Sequence, residues 1–467
     1  MSVDQHGNDL TDADPAAVAA YDAAVDHLLH FRSEVGDLLS AALTVEPGLA
    51  MGRAMEAYLG VLGTEPDDVA AARESLTSYV AATDTSGLLP RERQHLAAAG
   101  ALVRGDLVSG GRLLRALVVE HPRDALALAV GHQVDFFTAD AVALRDRVGG
   151  ALGAWTEDDE HLGQLLGMHA FGLEECGLYG RSEDVGLRAL ELDPTDVWAL
   201  HAVAHTYEMQ GRFAEGIAFL DARADDWQQG NFLNVHNWWH YCLYLLEAGD
   251  TRRPLEIYDA VLHHAGSAGL AMEMLDAAAL LWRLRLEGQD SGQRWVALAD
   301  AWDAKVAVPL YSFNDMHAVM AYLGADRLAD AERLVDSRSR WLAGDVDPSV
   351  TNVTMAREVG LPVARALVAF AREDYEGAVE LLAPIRSRVQ LFGGSHAQRD
   401  AVQRTLLEAA IRAGRLDLAQ TLVSERLGVN PCSPYSWLKR ATVVQALGDE
   451  VGADLARTQA RVLRAGR

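Results

Sequence analysis

"LDPTDVWALHAVAHTYEMQGRFAEGIAFLDARADD", residues 192–226, reads as one complete structural unit. An Asp–Pro pair opens it, apolar residues recur at helical spacing, Gly211 interrupts them, and a second helical pattern follows. Proline fits the first turn of a helix, where its missing N–H costs nothing, and glycine supplies the left-handed stop at a helix end. The same punctuation recurs along the chain. Glu46–Pro47, Asp193–Pro194, Asp347–Pro348 and Asn430–Pro431, with His121–Pro122 as a variant, mark helix starts. "RGD" at 104, "EAGD" at 247, "AGR" at 413 and "ALGD" at 446 mark turns inside hairpins. Hardly any alternating strand pattern is present, so the chain is predicted all-α.

The repeat of helix, turn, helix and polar–Pro loop, at roughly 34 residues and sometimes longer, is the period of the tetratricopeptide repeat. "NPCSPYSWLKRATVVQALGDEVGADLARTQARVL" (430–463) is a second example and is read as the cap of the array; "FAREDYEGAVELLAP" (370–384) supplies a turn and second helix of a third. Such units bury their apolar faces only by stacking. The predicted fold is therefore a tetratricopeptide-type α-α superhelix, a solenoid of helical hairpins. Residues 1–13 are read as a disordered tail, 14–90 as N-terminal helices opened by an Asp14 cap with Pro15, and 91–467 as the repeats.

Half of the 467 residues are hydrophobic and the formal charge is −26. That field repels phosphate backbones and anionic lipid, which excludes nucleic acid and membrane surfaces as partners. Cys176, Cys242 and Cys432 are widely spaced, so neither a disulfide framework nor a CxxC metal knuckle is present. No basic start with an apolar core opens the chain, and no apolar run approaches the roughly 20 residues of a membrane span. A soluble, reducing, cytoplasmic setting is expected.

Polar residues concentrate at matching places. His201, His205 and Glu208 are spaced four and three apart, within about 60° on one helix face. His240, Tyr244 and Glu247 form a similar stripe on the first helix of the next hairpin, with His236 one turn earlier. His201, His205, His236 and His240 are candidate ligands for a divalent metal, zinc or iron, because histidines four apart on a helix can reach one ion. The zinc-protease pattern is excluded, since Ala202 and Asn237 stand where its glutamate base belongs. The packing alternative stays open: histidine, tryptophan and tyrosine between stacked helices also fill space and bond one another. Asn314 or Asp315 is read as a helix N-cap, which leaves His317 unexplained. Ser395 and Gln398 form a capping box, which leaves His396, Arg399 and Asp400 spare.

The runs "GMHAFGLEECGLYGRSEDVGLRALELDPTDVWALHAVAHTYEMQGR", "HNWWHYCLYLLEAGD", "DAAALLWRL", "FNDMHAVMA" and "GGSHAQRD" resemble the tetratricopeptide repeat protein 38 family over roughly residues 90 to 440. The resemblance implies an all-helical repeat fold and much less about activity. Its motifs coincide with the polar stretches above.

Two functions are therefore expected as alternatives, and enzymatic activity is left open. In the first, a groove binds a small polar or anionic ligand. His201, His205, His240, His317 and His396 then act as acid/base groups or ligands, Asp315 or Asp400 orients a histidine, and Arg399 takes a carboxylate. Trp238 and Trp239 wall the pocket, with Glu208, Asn314 and Gln398 contributing polar contacts. In the second, the array is an adaptor that binds a protein or peptide partner in the groove.

Overall fold

The computed structural model describes residues 2–465, and these are almost wholly helical. From Pro90 onward the chain is a series of antiparallel helix pairs. First helices begin at Pro90, Ala125, Leu162, Val197, Asn234 and Ala271, 35 to 37 residues apart. The fold is the expected all-α solenoid of hairpins. Gly211 and Gly249 take positive φ (70° and 87°) at the turns of two successive hairpins, as their place in the pattern requires. Elsewhere Ala139, Asp326 and Glu373 adopt that conformation instead, which is why the glycine punctuation lapses at those turns.

The polar–Pro pairs sit differently from expectation. Pro194 and Pro431 lie in the loop, and the helices begin three residues later at Val197 and Pro434. Asp196 and Ser433 cap them, accepting from the backbone N–H groups of Ala199 and Ser436. The Asp14 cap with Pro15 is present as read, its carboxylate accepting from Ala16 N–H. Among the described residues no helix is long and apolar enough to cross a membrane, and the three cysteines are free.

The chain divides into two compact units, with the boundary inside the helix Val197–Met209 rather than near residue 90. The first runs to Val203 and includes Asp225–Asn234 and Val346–Thr354. Residues 2–13, expected as a disordered tail, are ordered within it. Ser2–Val3 pairs antiparallel with Asp9–Leu10, and Leu10 is fully buried. Arg91 donates to Asp124 (2.7 Å) and to the Asp9 carbonyl (3.2 Å), tying this hairpin to the helix Pro90–Val103. One apolar residue and a set of polar anchors hold the segment, a pattern that hydrophobic periodicity does not register.

A second polar knot holds the end of the first long helix. His30 lies 3.2 Å from Asp26 and 3.1 Å from Asp193, and His161 bridges Asp26 (3.1 Å) to His6 (2.9 Å). Burial alone would lower the His30 pKa, but hydrogen bonds to Asp193 and Asp26 outweigh it and raise it to about 10.

The second unit comprises Ala204–Ala224, Val235–Asp345 and the chain from Met355. Its first hairpins pack closely because Gly216 has no side chain. A Cβ there would overlap the Tyr244 phenol, whose hydroxyl donates to the Ala204 carbonyl (2.5 Å). This contact draws the helix Asn234–Ala248 against the helix that carries His205 and Glu208.

His30 gives a prediction with a definite sign. Its folded pKa of about 10 stands above the unfolded value near 6.5, so its contribution is complete below that value and is lost as pH rises through about 10. Denaturant titrations from pH 7 to 10 should show falling stability, with a shallower slope in His30→Gln. Parallel slopes would contradict the assignment.

Candidate functional site

The helix Ala271–Leu286 is apolar on nearly every face, yet Asp276 and Arg283 are 0 % and 1 % exposed. Each faces a different polar neighbourhood of the second unit, and together they locate its chemistry.

Asp276 meets the histidines. Its Oδ2 is 2.8 Å from His236 Nδ1, His236 Nε2 is 3.2 Å from His240 Nε2, and His240 Nδ1 is 2.7 Å from Glu208 Oε2. The four side chains form an unbroken line from one carboxylate to the other. His205 crosses His240 edge to face, with ring centroids 4.3 Å apart. Burial first, then the neighbouring imidazoles, holds His205 and His240 well below the usual histidine range. Burial lifts the Glu208 carboxyl to about 8. His201, one turn before His205 on the same helix, belongs to the first unit, where its ring lies against Phe171 and Trp198.

Arg283 faces a cleft of about 440 Å³, lined also by Glu208, Glu247, His396, Asp400, Arg386, Arg404 and Arg426. Asp400 is the junction of its wall, 2.5 Å from both Arg404 and Arg426. Burial would raise the Asp400 pKa, but the charges of Arg426 and Arg404 overcome this and hold it well below the carboxylate range. Arg404 also reaches Glu247 at 3.1 Å and lies 3.8 Å above the Tyr435 ring. Arg283 differs from these. It donates to two carbonyls, Ala279 (3.1 Å) and Ala397 (2.5 Å), and lies over the Trp239 ring at 5.3 Å. No carboxylate pairs with it, its Nε is buried without a partner, and burial pushes its pKa down to about 10.

The candidate residues from the sequence divide accordingly. His205, His236, His240 and Glu208 come together, and Glu208, His396 and Asp400 line the cleft. The other second-unit candidates do not line the cleft. Asp315, expected as a cap or as the orienter of a histidine, is instead paired with Arg338 at 2.8 and 2.9 Å; neither it nor Asn314 caps the helix Ser312–Gly324, which begins at Ser312. His317 is fully buried, its Nδ1 2.8 Å from the Phe313 carbonyl, and burial lowers its pKa to about 3. Gln398 completes the capping box with Ser395, and Arg399 donates to the Gly394 carbonyl. Trp239 is buried against His236, Trp238 packs on Tyr241, and neither lines the cleft. Arg283, Arg404, Arg426 and Asp276 were not singled out from the sequence. The available signal was a pair of charges, Asp276 and Arg283, inside the otherwise apolar run 274–284.

Asp400→Asn tests the charge junction. It removes the anion between two largely buried guanidinium groups, so stability should fall by about 3 kcal/mol in denaturant at pH 7. A change below about 1 kcal/mol would show that Arg404 and Arg426 do not depend on it.

The tetratricopeptide repeat family matches residues 185–218. Over most of its length the chain is similar in structure to a monomeric mutant of IFIT1 with Gppp-AAAA: 12 % identity, 97 % of this chain and 96 % of that one, TM-score 0.42. It is also similar to the P58(IPK) TPR domain, at 13 % identity, 81 % and 99 % coverage and a TM-score of 0.22. Against the APC/C hetero-tetramer Cut9-Hcn1 the corresponding values are 13 %, 97 %, 93 % and 0.26. The hairpin series itself, with its regular period and its matched residues 185–218, makes this a tetratricopeptide-like helical repeat protein.

Proposed function

We propose that the second unit binds a small anionic ligand, a carboxylate or a phosphate, in the arginine-lined cleft. The observation that carries this reading is Arg283, a guanidinium 1 % exposed, at a cavity wall, with no carboxylate paired to it. Removing a charge from water costs several kcal/mol unless an opposite charge answers it. Arg404 and Arg426 have Asp400 in direct contact, whereas Arg283 touches only carbonyl dipoles and a ring face and feels the charges of Asp400 and Glu208 without pairing with either. An oxyanion in the cleft would supply the missing charge, with the planar guanidinium matching its geometry. The size of the cleft suits a metabolite-sized molecule, and the chain's charge of −26 opposes polyanions. The resemblance to the tetratricopeptide repeat protein 38 family supports this reading, because its motifs contribute Glu208, Arg283, His396 and Asp400.

A peptide that offers its C-terminal carboxylate to the same arginines is the adaptor form of this function, and the helical-repeat fold supports it. The two forms separate on the size of what binds.

The test is Arg283→Met beside the unchanged chain, with inorganic phosphate, small dicarboxylates and short acidic peptides as probes. A bound anion at a hundredfold excess over its Kd should stabilise the unchanged chain by about 2.7 kcal/mol. Arg283→Met should lose that gain while its ligand-free stability stays within about 1 kcal/mol, because the uncompensated charge is gone. Stabilisation by peptides alone would favour the adaptor. A large loss of ligand-free stability, with anion binding intact, would make Arg283 a structural residue and end the proposal.

A further inference from the structure

The facing nitrogens of His236 and His240 raise a separate question. Each ring has its Nδ1 against a carboxylate, Asp276 at 2.8 Å and Glu208 at 2.7 Å. With Asp276 and Glu208 ionised, each accepts a hydrogen bond, so Nδ1 carries the proton in each ring, and a neutral imidazole then presents a lone pair at Nε2. Those two Nε2 atoms are 3.2 Å apart. Two lone pairs at that distance repel unless something positive lies between them.

We propose that His205, His236 and His240 hold a divalent metal ion of the zinc class, with Asp276 and Glu208 orienting two of the ligand rings. Two imidazole nitrogens on a tetrahedral zinc, at bonds of about 2.0–2.1 Å, stand about 3.3 Å apart. The observed pair is 3.2 Å apart. His205 closes a third side, and one ring nitrogen from each of the three histidines lies within 4.8 Å of the others. Carboxylates on the outer nitrogens are what metal-bound histidines need, since they fix the tautomer and strengthen the donor. Three protein ligands leave a fourth position for water or for an oxygen of a bound molecule. Glu208, which holds His240, also forms part of the cleft wall, so the ion would lie next to the space assigned to the anion.

The competing arrangement contains no metal. A protonated Glu208 would donate to His240 Nδ1, and His240 would pass its own proton from Nε2 to His236. That arrangement satisfies every nitrogen and predicts no affinity for zinc.

The experiment uses the full chain, stripped with a chelator and titrated with Zn²⁺ alone by calorimetry. No anionic ligand is present, so the outcome is independent of the cleft proposal. One tight site per chain is expected. The double change His236→Ala, His240→Ala should abolish it, and Asp276→Asn should weaken it 10- to 100-fold. Co²⁺ in place of Zn²⁺ should give the visible absorption of a tetrahedral nitrogen site, lost in the same variants. Should the double variant fail to fold by circular dichroism, His236→Gln takes its place. Absence of a tight site overturns the proposal. So does undiminished binding in a folded histidine variant, which would move the ion to another cluster such as Asp26, His30 and His161.

Discussion

A charge taken out of water has to be answered, and in the second unit that constraint falls on a single helix. Ala271–Leu286 buries nearly all its faces, so Asp276 and Arg283 are committed to the interior with it. Asp276 is answered by His236, and the line of side chains through His240 to Glu208 follows from that contact. Arg283 is in contact only with dipoles and a ring face, with Asp400 and Glu208 acting on it from beyond ion-pair distance, and the cleft lies in front of it. The two ends of one helix thus set a proton- or metal-holding cluster and an anion-seeking cationic wall side by side, joined by Glu208.

The helical hairpin makes this juxtaposition cheap. Residues three and four apart share a helix face, so a first helix can present several polar groups to its neighbour while its other faces stay apolar. Close approach then decides which groups meet. Gly216 lets Tyr244 lie flat against the preceding hairpin, and the Tyr244 hydroxyl on the Ala204 carbonyl fixes the distance at which His240 meets His205 and Glu208. The charge junction at Asp400 does the same for the opposite wall, where three helices contribute four ions: Asp400 and Arg404 share the helix His396–Arg412, Arg426 follows on the next, and Glu247 reaches across.

What the sequence revealed follows from the range of each interaction. Period and turns are local, so the hairpins and the all-α class were legible, as was the presence of matching polar stripes on adjacent first helices, though not which of their side chains bond one another. Capping is local too, and the Ser395–Gln398 box appears as read. Long-range ion pairs leave no local trace. Asp315 reads as a cap or as the orienter of a histidine because its partner Arg338 lies 23 residues away, and Arg283 was not singled out because the Ala397 carbonyl lies 114 residues away. The polar–Pro loops misled by three residues, since the cap was Asp196 or Ser433 rather than the residue before proline. The N-terminal segment is held by one buried leucine and by Arg91, which pairs with Asp4 and donates to the Asp9 carbonyl, contacts that composition does not register.

The central claim is that Arg283 is a buried cation built to receive an external anion. A crystal structure of the full chain grown with selenate, a heavy-atom oxyanion, addresses it directly. The account predicts an anomalous difference peak in the cleft, within hydrogen-bonding distance of Arg283 Nε, with the Asp400–Arg404–Arg426 junction intact. A cleft without that peak, with Glu208 or Asp400 turned onto the Arg283 guanidinium, would contradict it.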